Sequence, residues 1–534
     1  MTQSARYDAI IVGGGHNGLV AAGYLAKERL KVLVLERRHL VGGACVTEEI
    51  IPGYRVSRTS YVCSLLLPEV IRDFRMKEYG FELLVPEPNG LQPLPDGRGI
   101  VWWSDPKKRA AEIAKFSPKD VDNIEKFEAG LAELQPFVDE ILRMTPPMFP
   151  PKGIGEMLEF AKFGRKMLKL GDRKLKHFME LMTLSCADYL DKRIESDAIK
   201  AYFAISGMTG TCVGPMSPGS AAVMLHHAMG SAIEGKPGGW GYVKGGMGSI
   251  AEALRKSVED LGVEIRTEAE VSKFLVEKGV CRGVVMHNGD EIRGRLVASN
   301  LDPKRTFLGM LDNDTLPEDF TQAIRDFSIQ GSSIKVNCAL SELPNWTCMP
   351  GTDPAAPHQQ AMFEIGPSIE YLERAYDDLK YGRPSQRPMI DGNIASVIDD
   401  TLCPKGHHVL SLFVQYGPYH LKEGTWPEIR EKVGDNIIDT MAEYAPNIKK
   451  AIIGREVLSP WDLEKEFGLT EGNIFHGEMT PNQLFFLRPA PRWARYRTPV
   501  RGLYLCGSGA HPGGGVMGAP GKNAAQAILK DLRR

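Results

Sequence analysis

Three glycines near the N-terminus have the type and spacing of a phosphate-binding turn. Gly13, Gly15 and Gly18 form a G-x-G-x-x-G sequence, and an acid, Glu36, follows 23 residues after the first of them. Glycine at these positions permits a tight turn, a close approach of backbone to a pyrophosphate, and close packing of a helix on a strand. The carboxylate can accept hydrogen bonds from both hydroxyls of a ribose. The chemistry that this pattern predicts is the binding of a dinucleotide.

The residues around the turn predict the elements that must position it. Residues 7–12 are apolar on both faces, as buried parallel strands are, and residues 31–35 form a second such run. Between them, residues 19–28 predict a helix rich in small side chains. The start of this helix would present backbone N–H groups and a positive dipole to phosphates. We therefore expect a dinucleotide-binding βαβ unit over residues 7–36.

A second pair of glycines indicates which dinucleotide binds. Gly42 and Gly43 follow shortly after the acid, where a nicotinamide-binding domain would normally continue into a further helix and strand. Near the other end, residues 502–506 predict a strand, and residues 513–518 repeat the G-x-G-x-x-G spacing. Only sixteen residues remain after Gly518, whereas a βαβ unit needs about thirty, so this is no second nucleotide domain. We interpret it as a helix that starts near Val516 and points at an electron-rich ring edge, such as N1 and O2 of a reduced flavin.

The two ends of the chain resemble one family. Residues 8–49 and 502–525 are similar to the FAD-dependent phytoene desaturase/carotenoid oxidoreductase group of the glutathione-reductase-like flavoproteins, and residues 245–250 and 297–303 resemble it more weakly. The resemblance implies an α/β fold, with a glutathione-reductase-like (Rossmann-type) FAD domain and an inserted α+β substrate domain. It implies FAD as the cofactor and an FAD-dependent oxidoreductase as the activity. Disulfide chemistry is not expected, because none of the nine cysteines forms a C-x-x-C pair.

Matched position by position, the motifs of the family imply a set of cofactor-binding residues. One departure is Ala44, where many relatives carry an arginine, and another is the segment 54–60, which lacks the aromatic-Asp pair usual in carotene desaturases. No catalytic acid or base is assigned, and no metal site is expected, because adjacent histidines such as His226 and His227 point to different faces. The resemblance puts the ADP half of FAD on six residues: Gly13, Gly15, Gly18, Glu36, Gly42 and Gly43. It puts the adenine near the backbone of Val271, and the ribityl chain and ring near Gly507, Gly515, Val516 and Met517. His16, Asn17, Arg37 and Ala44, which lie within the same motifs, complete the predicted cofactor-binding set.

The similar stretches alternate with stretches that lack similarity, which predicts a flavin domain built from three pieces. In the second inserted part, residues 334–339, 395–398 and 409–415 predict strands, and residues 426–444 predict a helix. The predicted divisions are 1–105, 236–305 and 486–534 for the three parts of the FAD-binding domain, 106–235 for a helical substrate-domain insert, and 306–485 for a second part of sheet plus helices.

The composition of the first insert, residues 106–235, indicates the kind of substrate. Ten of the 21 methionines lie between residues 143 and 229, and such side chains suit an adaptable apolar cavity; the alternative is that they fill gaps in a helical core. We expect a dehydrogenase, desaturase or isomerase that acts on an apolar isoprenoid or lipid. An amine oxidase of the same fold and a flavin-holding regulatory protein without turnover are the alternatives. His511 is the best candidate for a proton-handling residue, with a structural histidine as the alternative, and the residues do not specify the electron acceptor.

Charge bears on partners and location. Asp plus Glu (67) nearly balance Lys plus Arg (65), so no nucleic acid is expected as a partner. Residues 152–176 place eight bases among apolar residues at helical spacing, which predicts either peripheral contact with an anionic membrane or a helix with a solvated basic face. No run of 18 uncharged apolar residues occurs. We expect a cytoplasmic location with peripheral membrane contact, or the mitochondrial matrix in a eukaryote, as the resemblance implies; the oligomeric state is not predicted.

Overall fold

The computed structural model describes residues 7–233, 238–312 and 314–533. Within these ranges the strands are, in chain order, β1 (Tyr7–Val12), β2 (Val32–Leu35), β3 (Thr47–Ile51), β4 (Tyr54–Ser57), β5 (Leu83–Leu84), β6 (Gly90–Pro93), β7 (Gly99–Trp102), β8 (Tyr242–Val243), β9 (Glu264–Arg266), β10 (Val271–Glu277), β11 (Val280–Met286), β12 (Glu291–Ser299), β13 (Ser333–Leu340), β14 (Met362–Ile365), β15 (Met389–Asn393), β16 (His408–Gln415), β17 (Ile452–Leu458) and β18 (Leu503–Leu505). The α-helices are α1 (His16–Lys27), α2 (Pro68–Asp73), α3 (Pro106–Ala114), α4 (Pro118–Arg143), α5 (Ile154–Leu168), α6 (Gly171–Thr183), α7 (Cys186–Asp191), α8 (Asp197–Ile205), α9 (Ser220–Ala228), α10 (Gly248–Asp260), α11 (Glu318–Arg325), α12 (Ile369–Lys380), α13 (Trp426–Ala442), α14 (Ile448–Ala451), α15 (Pro460–Phe467) and α16 (Ala519–Leu532).

Seven strands form the sheet that carries the glycine-rich turn. Its parallel part runs in the order β18, β12, β1, β2, β9, and β10 and β11 extend it as an antiparallel meander from the first half of β12. Strands β1 and β2 are almost wholly buried, which explains why both of their faces are apolar. Val12 lies opposite Ser299, so the carboxyl ends of β1 and β12 meet at one edge of the sheet.

The two ends of the chain pack together on this sheet. Strand β18 pairs with β12, and the Asn17 Nδ2 group at the start of α1 donates a hydrogen bond to Ser508 Oγ over 3.1 Å. Helix α16 lies against α1 so closely that a Cβ built on Gly521 would be 2.1 Å from the Asn17 carbonyl oxygen. Glycine is therefore required at this crossing. The glycine-rich segment 507–518 consequently lies beside the first glycine turn.

A second sheet runs in the order β17, β13, β16, β15, β14, β6, β7, and all its pairs are antiparallel except that of β14 with β6. Successive side chains of a strand point to opposite faces. On one face, Ile334 and Val336 of β13 pack against α13 through Trp426 in a common apolar cluster. On the other face, β13 carries Lys335 and Asn337. That polar face takes part in the site described below.

Most of the helices from α4 to α9 share one apolar cluster, which includes Ile124 of α4 and Ile199 of α8. Helix α5 is different, because none of its residues is buried. None of the helices within the described ranges combines the length and the apolar composition needed to cross a bilayer.

The structure differs from the sequence predictions in two places. Strands β6 and β7 fall within residues 1–105, which the prediction gave to the FAD-binding domain, but β6 pairs with β14 and β7 pairs with β6 in the second sheet. A strand pattern does not reveal which sheet the strand joins, and this caused the error. The strand predicted at 395–398 is a 3-10 turn, Ala395–Val397, because a short apolar run does not distinguish the two. Strands β13 and β16 and helix α13 are confirmed, whereas residues 1–6 and the division between 235 and 236 lie outside the described residues.

Candidate active site

A cavity of ≈ 1560 Å³ joins the two sheets. Its wall includes the turn after β1, with Gly13 and Gly15, and the face of the second sheet that carries Lys335 and Asp391. Side chains of α4, α8 and α9 contribute further wall. Pockets for small ligands typically measure about 300–1,000 Å³. The cavity therefore has room for a dinucleotide together with a second molecule.

The glycine turn presents backbone rather than side chains to this cavity. Gly15 is the N-cap residue of α1 with extended backbone (φ −67°), and Gly13 has a φ of +98°, which side-chain-bearing residues rarely adopt. A second loop lies against the turn, because the Gly42 N–H donates to the Gly14 carbonyl over 2.9 Å and Gly43, at a φ of +60°, follows it. The first N–H groups of a helix have no partner within the helix. Two loops and a helix start therefore offer donors suited to a pyrophosphate.

Glu36 is buried just after β2, and two backbone donors hold its carboxylate in place. The Gly14 N–H donates to Oε2 over 2.8 Å and the Arg38 N–H donates to Oε1 over 2.9 Å. An ionised carboxylate has about four acceptor sites, so two donors do not saturate it. Because Glu36 also lines the cavity, its remaining acceptor sites are available to ribose hydroxyls.

Several buried polar atoms of the cavity wall have no hydrogen-bond partner among the described residues. They include His16 Nε2, Arg305 Nε and His476 Nδ1. Burial, reinforced by the neighbouring His476, lowers the pKa of His16 to about 4. Buried polar groups in native proteins are nearly always hydrogen-bonded, so these atoms fit a ligand that brings hydrogen-bonding groups to this part of the wall. Lys304 and Arg305 also line the wall and supply the positive charge that Ala44 does not.

Twelve of the fifteen predicted cofactor-binding residues line the cavity and three do not. A Cβ built on Gly18 would be 2.3 Å from the Gly13 carbonyl oxygen, and one on Gly507 would be 2.6 Å from that of Asn300, so both glycines serve close packing. Met517 is buried in the apolar cluster around the first sheet. Gly18 therefore serves the close packing that its place in the motif predicts, whereas Gly507 and Met517, which the resemblance puts near the ribityl chain and ring, lie outside the cavity wall. The twelve that line the cavity are Gly13, Gly15, His16, Asn17, Glu36, Arg37, Gly42, Gly43, Ala44, Val271, Gly515 and Val516.

The guanidinium of Arg37 is occupied elsewhere, although the residue lines the cavity. Its Nη2 donates to the carbonyl oxygens of Lys465 (3.3 Å) and Glu466 (2.7 Å) in the last turn of α15. Burial, followed by repulsion from Arg305, lowers the pKa of Arg37 below the ordinary arginine value. A cation at a helix C-terminus is favourable. Arg37 therefore ties α15 to the loop after β2.

Asn300 belongs to the site and was missed as a site residue. It follows β12, lines the cavity, and its Nδ2 donates to the Gly13 carbonyl over 3.2 Å. A Cβ built on Gly15 would lie 2.9 Å from the same Nδ2 atom. The weak family resemblance over 297–303 was the signal that could have identified it. Asn300 thus holds the turn and sets how much space remains at Gly15.

His511 lies outside the residues that form the cavity wall. Its Nε2 donates to the Ile141 carbonyl over 2.9 Å, and burial lowers the pKa of its imidazole to about 4. The structure therefore favours the structural alternative over a proton-handling role at the cavity.

The methionine-rich insert contributes little to the cavity. Of its ten methionines, Met224 and Met229 lie in the wall. Met208 is buried in the helical core, and Met157 and Met179 are exposed. Of the two alternatives, lining of the cavity applies to Met224 and Met229, whereas Met208 fits the alternative that methionines fill gaps in a helical core.

Charged residues of the second sheet form a part of the site that the motifs did not reveal. Lys335, Phe413, Asp391 and Glu364 lie opposite one another across β13, β16, β15 and β14, and all four line the cavity. Burial lowers the pKa of Lys335 to about 7 and raises that of Asp391 to about 7. Burial, followed by the charge of Asp391, raises the pKa of Glu364 well above its usual value. Polar residues at every second position of otherwise apolar strands were the available signal.

Hydrogen bonds organise this polar wall. Lys335 Nζ donates to Asn337 Oδ1 over 2.8 Å and to Ser411 Oγ, and lies 5.3 Å from the centre of the Tyr61 ring. The Tyr61 hydroxyl donates to Asp391 Oδ2. A group whose pKa lies near 7 can take up or release a proton at neutral pH. The wall can therefore hold or move a proton as well as bind a polar group.

Aromatic rings supply much of the remaining surface. Trp102 and Tyr202 stack with ring centroids 4.1 Å apart, and Tyr61 stacks on Phe413 at 5.7 Å. All four rings line the cavity. Such surfaces bury apolar groups favourably. Across residues 7–233, 238–312 and 314–533, no group of three or more His, Cys, Asp or Glu side chains could hold a metal ion, and all nine cysteines are unpaired thiols.

The glycine loops, the acid after the second strand and the large cavity define a dinucleotide-binding oxidoreductase. The sequence model of the flavin containing amine oxidoreductases matches residues 18–529, so the chain belongs to this family and is an FAD-dependent oxidoreductase. It is 41% identical to pyridine nucleotide-disulfide oxidoreductase domain-containing protein 2 of Rattus norvegicus over 546 residues, which cover 99% of this chain and 94% of that protein.

More distant relatives bear on the predicted family and fold. Phytoene desaturase (lycopene-forming) of Pseudescherichia vulneris is 24% identical over 538 residues, covering 98% of this chain and 99% of that enzyme. A solved structure of wild-type putrescine oxidase bound to putrescine superposes with a TM-score of 0.61 at 15% identity, covering 99% of each chain, which shows a shared fold. The predicted FAD cofactor, the oxidoreductase activity and the likeness to phytoene desaturases are confirmed, as is a mixed α/β fold.

Proposed function

We propose that the protein is a glutathione-reductase-like flavoprotein that dehydrogenates, desaturates or isomerises an apolar isoprenoid or lipid. The observation that carries the proposal is that one cavity is lined both by the glycine loops and by stacked aromatic rings. A flavin enzyme must bring its cofactor and its substrate into one enclosed space. The name of the phytoene desaturase relative supports an isoprenoid substrate.

The glycine end of the cavity fits FAD on two counts. A Cβ on Gly15 would lie 2.9 Å from Asn300 Nδ2, so any side chain there displaces Asn300 or enters the cradle. The unpaired ring nitrogens of His16 and His476 suit phosphate oxygens. In this proposal the two glycine loops hold the pyrophosphate, Glu36 holds the ribose, and the backbone at Val271 lies near the adenine. FAD supplies a ring that accepts a hydride when it is bound.

The C-terminal segment would lie near that ring through Gly515 and Val516, which line the cavity. Helix α16 begins at Ala519, three residues later than the sequence predicted. The positive end of a helix dipole favours negative charge nearby. We therefore assign α16 the task of stabilising charge at the ring edge.

The residues of the second sheet would bind the substrate and handle a proton. The ring pairs Tyr61–Phe413 and Trp102–Tyr202 hold an apolar chain and exclude water. Lys335 holds a proton at Nζ and can release it near neutral pH, because burial has lowered its pKa to about 7.

Anaerobic reduction of the flavin tests this function. Isoprenoid hydrocarbons and lipids extracted with the purified protein are expected to bleach the flavin absorbance. Lys335→Met is expected to slow bleaching by roughly 10²–10⁴-fold, the typical contribution of a proton-handling group. Lys380→Met, at a half-exposed lysine of α12, is the matched control. Bleaching that no apolar compound produces, or that Lys335→Met leaves unchanged, would refute dehydrogenation and desaturation. Isomerisation leaves the oxidation state of the flavin unchanged, so it is tested by conversion of the substrate to an isomer, which Lys335→Met should also slow.

Amine oxidation is the second candidate function. The stacked pair of Tyr61 and Phe413 in the cavity wall favours it, since an amine oxidase is expected to flank its flavin with aromatic side chains. The experiment that separates the two functions is aerobic incubation with a panel of primary and secondary amines. Release of hydrogen peroxide with amines, and none with apolar hydrocarbons, would establish the second function in place of the first.

We also propose that α5 binds the surface of an anionic membrane, which would make the protein a peripheral membrane protein of the cytoplasm. Ile154, Leu158 and Leu168 of α5 are 79%, 58% and 72% exposed. At 3.6 residues per turn, these positions lie on one side of the helix. Such an exposed apolar stripe is typical of helices that lie in a membrane interface.

The charges of α5 complement an anionic surface. Its acids face the protein, where Glu156 pairs with Arg492 (3.1 Å) and Glu159 pairs with Arg495 (3.0 Å). The acids are thus neutralised internally, whereas exposed bases remain beside the apolar stripe. These bases are Lys162, Arg165 and Lys169.

Sedimentation with lipid vesicles tests this contact. The protein is expected to bind vesicles that contain phosphatidylglycerol several-fold better than vesicles of phosphatidylcholine alone, and less well as salt is raised. Leu158→Asp should abolish the binding, whereas Tyr381→Asp, at a 63% exposed residue on another surface, should not. Equal behaviour of the two variants would show that α5 is a solvated helix.

A further inference from the structure

Two carboxyl groups of the second sheet stand beside each other in the cavity wall. Glu364 of β14 lies directly opposite Asp391 of β15 in the register of the sheet, and both line the cavity. Residues directly opposite across an antiparallel pair have Cβ atoms about 4.5–5.5 Å apart. Neither residue belongs to the glycine end that fits FAD. The function proposed so far assigns the second sheet to the substrate but gives this pair no specific contact.

Each carboxyl group has a bare oxygen. Glu364 Oε2 and Asp391 Oδ1 are buried and accept no hydrogen bond from any residue that the structure describes. The second oxygen of Asp391 accepts from the Tyr61 hydroxyl, and Lys335 is directed to Asn337 and Ser411 instead.

The strand next to β14 adds a further bare acceptor to the same wall. Asn89 immediately precedes β6, which pairs with β14, and it too lines the cavity. Its Oδ1 is buried without a partner in the described part of the chain. An unsatisfied buried acceptor is costly, and the cost disappears when a donor reaches it. Three bare acceptors on adjacent strands therefore favour a ligand that brings hydrogen-bond donors.

We propose that Glu364, Asp391 and Tyr61 form a subsite that binds a hydrogen-bond-donating group, a hydroxyl or an ammonium, carried by an otherwise apolar substrate. This rests on the proposed function, since it names the polar feature of the substrate which that function leaves undefined. The aromatic rings of the same wall take the apolar part, because Tyr61 stacks on Phe413 and Phe413 lies between Lys335 and Asp391 in the register.

Lys335, Phe413, Asp391 and Glu364 form one row across the four strands. The net charge of this row determines whether it favours a hydroxyl or an ammonium. With both carboxyls ionised and Lys335 protonated, the row carries one net negative charge, which an ammonium neutralises. With one proton shared by the pair, the row is neutral, which suits a hydroxyl. A hydrocarbon satisfies neither state and leaves the acceptors bare, so the subsite discriminates against it.

Binding of three matched isoprenoids to the FAD-loaded enzyme tests the subsite. Myrcene has no polar group, geraniol carries a hydroxyl and geranylamine carries an ammonium on a comparable ten-carbon skeleton. Titrations followed by the change in flavin absorbance are expected to show geraniol or geranylamine binding at least about tenfold more tightly than myrcene. A preference for geraniol identifies a hydroxyl subsite, and a preference for geranylamine identifies an ammonium subsite.

Substitutions test whether these residues cause the preference for geraniol or geranylamine over myrcene. Glu364→Gln and Asp391→Asn should each reduce it to less than about threefold while leaving the affinity for myrcene unchanged. Tyr61→Phe keeps the stacked ring and removes only the hydroxyl. It replaces the carboxyl variants as the test if neither of them folds. Glu370→Gln, at an exposed acid of α12, is the control and should keep the full preference.

The outcomes separate this subsite from the function on which it rests. Myrcene that binds as tightly as the other two compounds, or a preference that survives both carboxyl substitutions, overturns the subsite and leaves an apolar-substrate enzyme intact. Absence of binding by all three compounds overturns both proposals. Tight binding of geraniol or geranylamine without bleaching of the flavin supports the subsite and counts against that compound as the substrate.

Discussion

Gly15→Val tests how the chain holds FAD, because it changes the space at the glycine turn and little else. The backbone of Gly15 is extended (φ −67°), so valine introduces no strain of its own there. Its Cβ would, however, lie 2.9 Å from Asn300 Nδ2 and 3.8 Å from the Gly42 carbonyl oxygen. Asn300 is itself held by its hydrogen bond to the Gly13 carbonyl. The two methyl groups of valine must then occupy the space assigned to the pyrophosphate.

The size of the effect follows from the cost of overpacking. Extra methyl groups in a filled site typically cost about 1–3 kcal/mol. If this energy destabilises the FAD complex and not the free protein, the dissociation constant for FAD rises by roughly 5–150-fold. Gly15→Ala adds only the Cβ and should give a smaller increase. The fold should survive both substitutions, because the end of the Asn300 side chain can move while no backbone atom lies within 3 Å of the new Cβ.

The assay compares flavin bound per polypeptide after gel filtration, followed by FAD titration of the flavin-free protein. Gly155→Val is the control, because a Cβ on Gly155 of α5 would meet nothing within 4 Å. We expect full flavin content for the control and a clear loss for Gly15→Val at a similar melting temperature. If Gly15→Val retained wild-type FAD content and affinity, the glycine turn would not be the pyrophosphate site.

Three further predictions concern the fold. Gly521→Ala would put a Cβ 2.1 Å from the Asn17 carbonyl and should lower the thermal midpoint by several degrees in a melting experiment, unlike Gly155→Ala. His511 has a pKa of about 4 when folded and about 6.5 when unfolded, so the unfolded chain binds the extra proton between these values and stability is lost as pH falls from about 6.5 to 4. That loss amounts to about 3 kcal/mol, and urea unfolding at pH 4.5 and 7 should show a smaller loss for His511→Gln. Because all nine cysteines are unpaired, the denatured protein should show nine reactive thiols with or without prior reduction.

The chemistry of the chain ends could be predicted from sequence because it depends on the backbone. Glycines at Gly13, Gly15 and Gly42 act through conformation and lack of a side chain, so their spacing alone carries the information. The same reasoning could not decide which glycines touch a ligand. Gly507 brings two segments together behind the wall, and only the three-dimensional structure shows that a Cβ there would meet the backbone of Asn300.

The middle of the chain could not be predicted in the same way because its site depends on strand register. Lys335, Glu364, Asp391 and Phe413 lie on four successive strands whose order in the sheet (β13, β16, β15, β14) differs from their order in the chain. Each of these residues by itself is only a polar or aromatic side chain in a short apolar run. The methionine-rich composition of the first insert suggested a cavity lining, but only Met224 and Met229 of its ten methionines lie in the wall. Composition over a long segment is therefore weaker information than pairing between strands.

The register of the strands also explains how members of one family can bind the same cofactor and differ in their substrate sites. A shift of β15 by one residue against β16 would turn Asp391 to the face that packs on α13 and remove it from the cavity. The polar row is thus fixed by the hydrogen-bonding of β13, β16, β15 and β14, none of which contributes to the glycine turn. Single substitutions at Glu364 or Asp391 would consequently alter which polar group is accepted without disturbing the loops at Gly15 and Gly42. Relatives in this family with the same glycine loops need not act on the same compound, and the residues of this row, rather than the glycine motif, are the place to compare them.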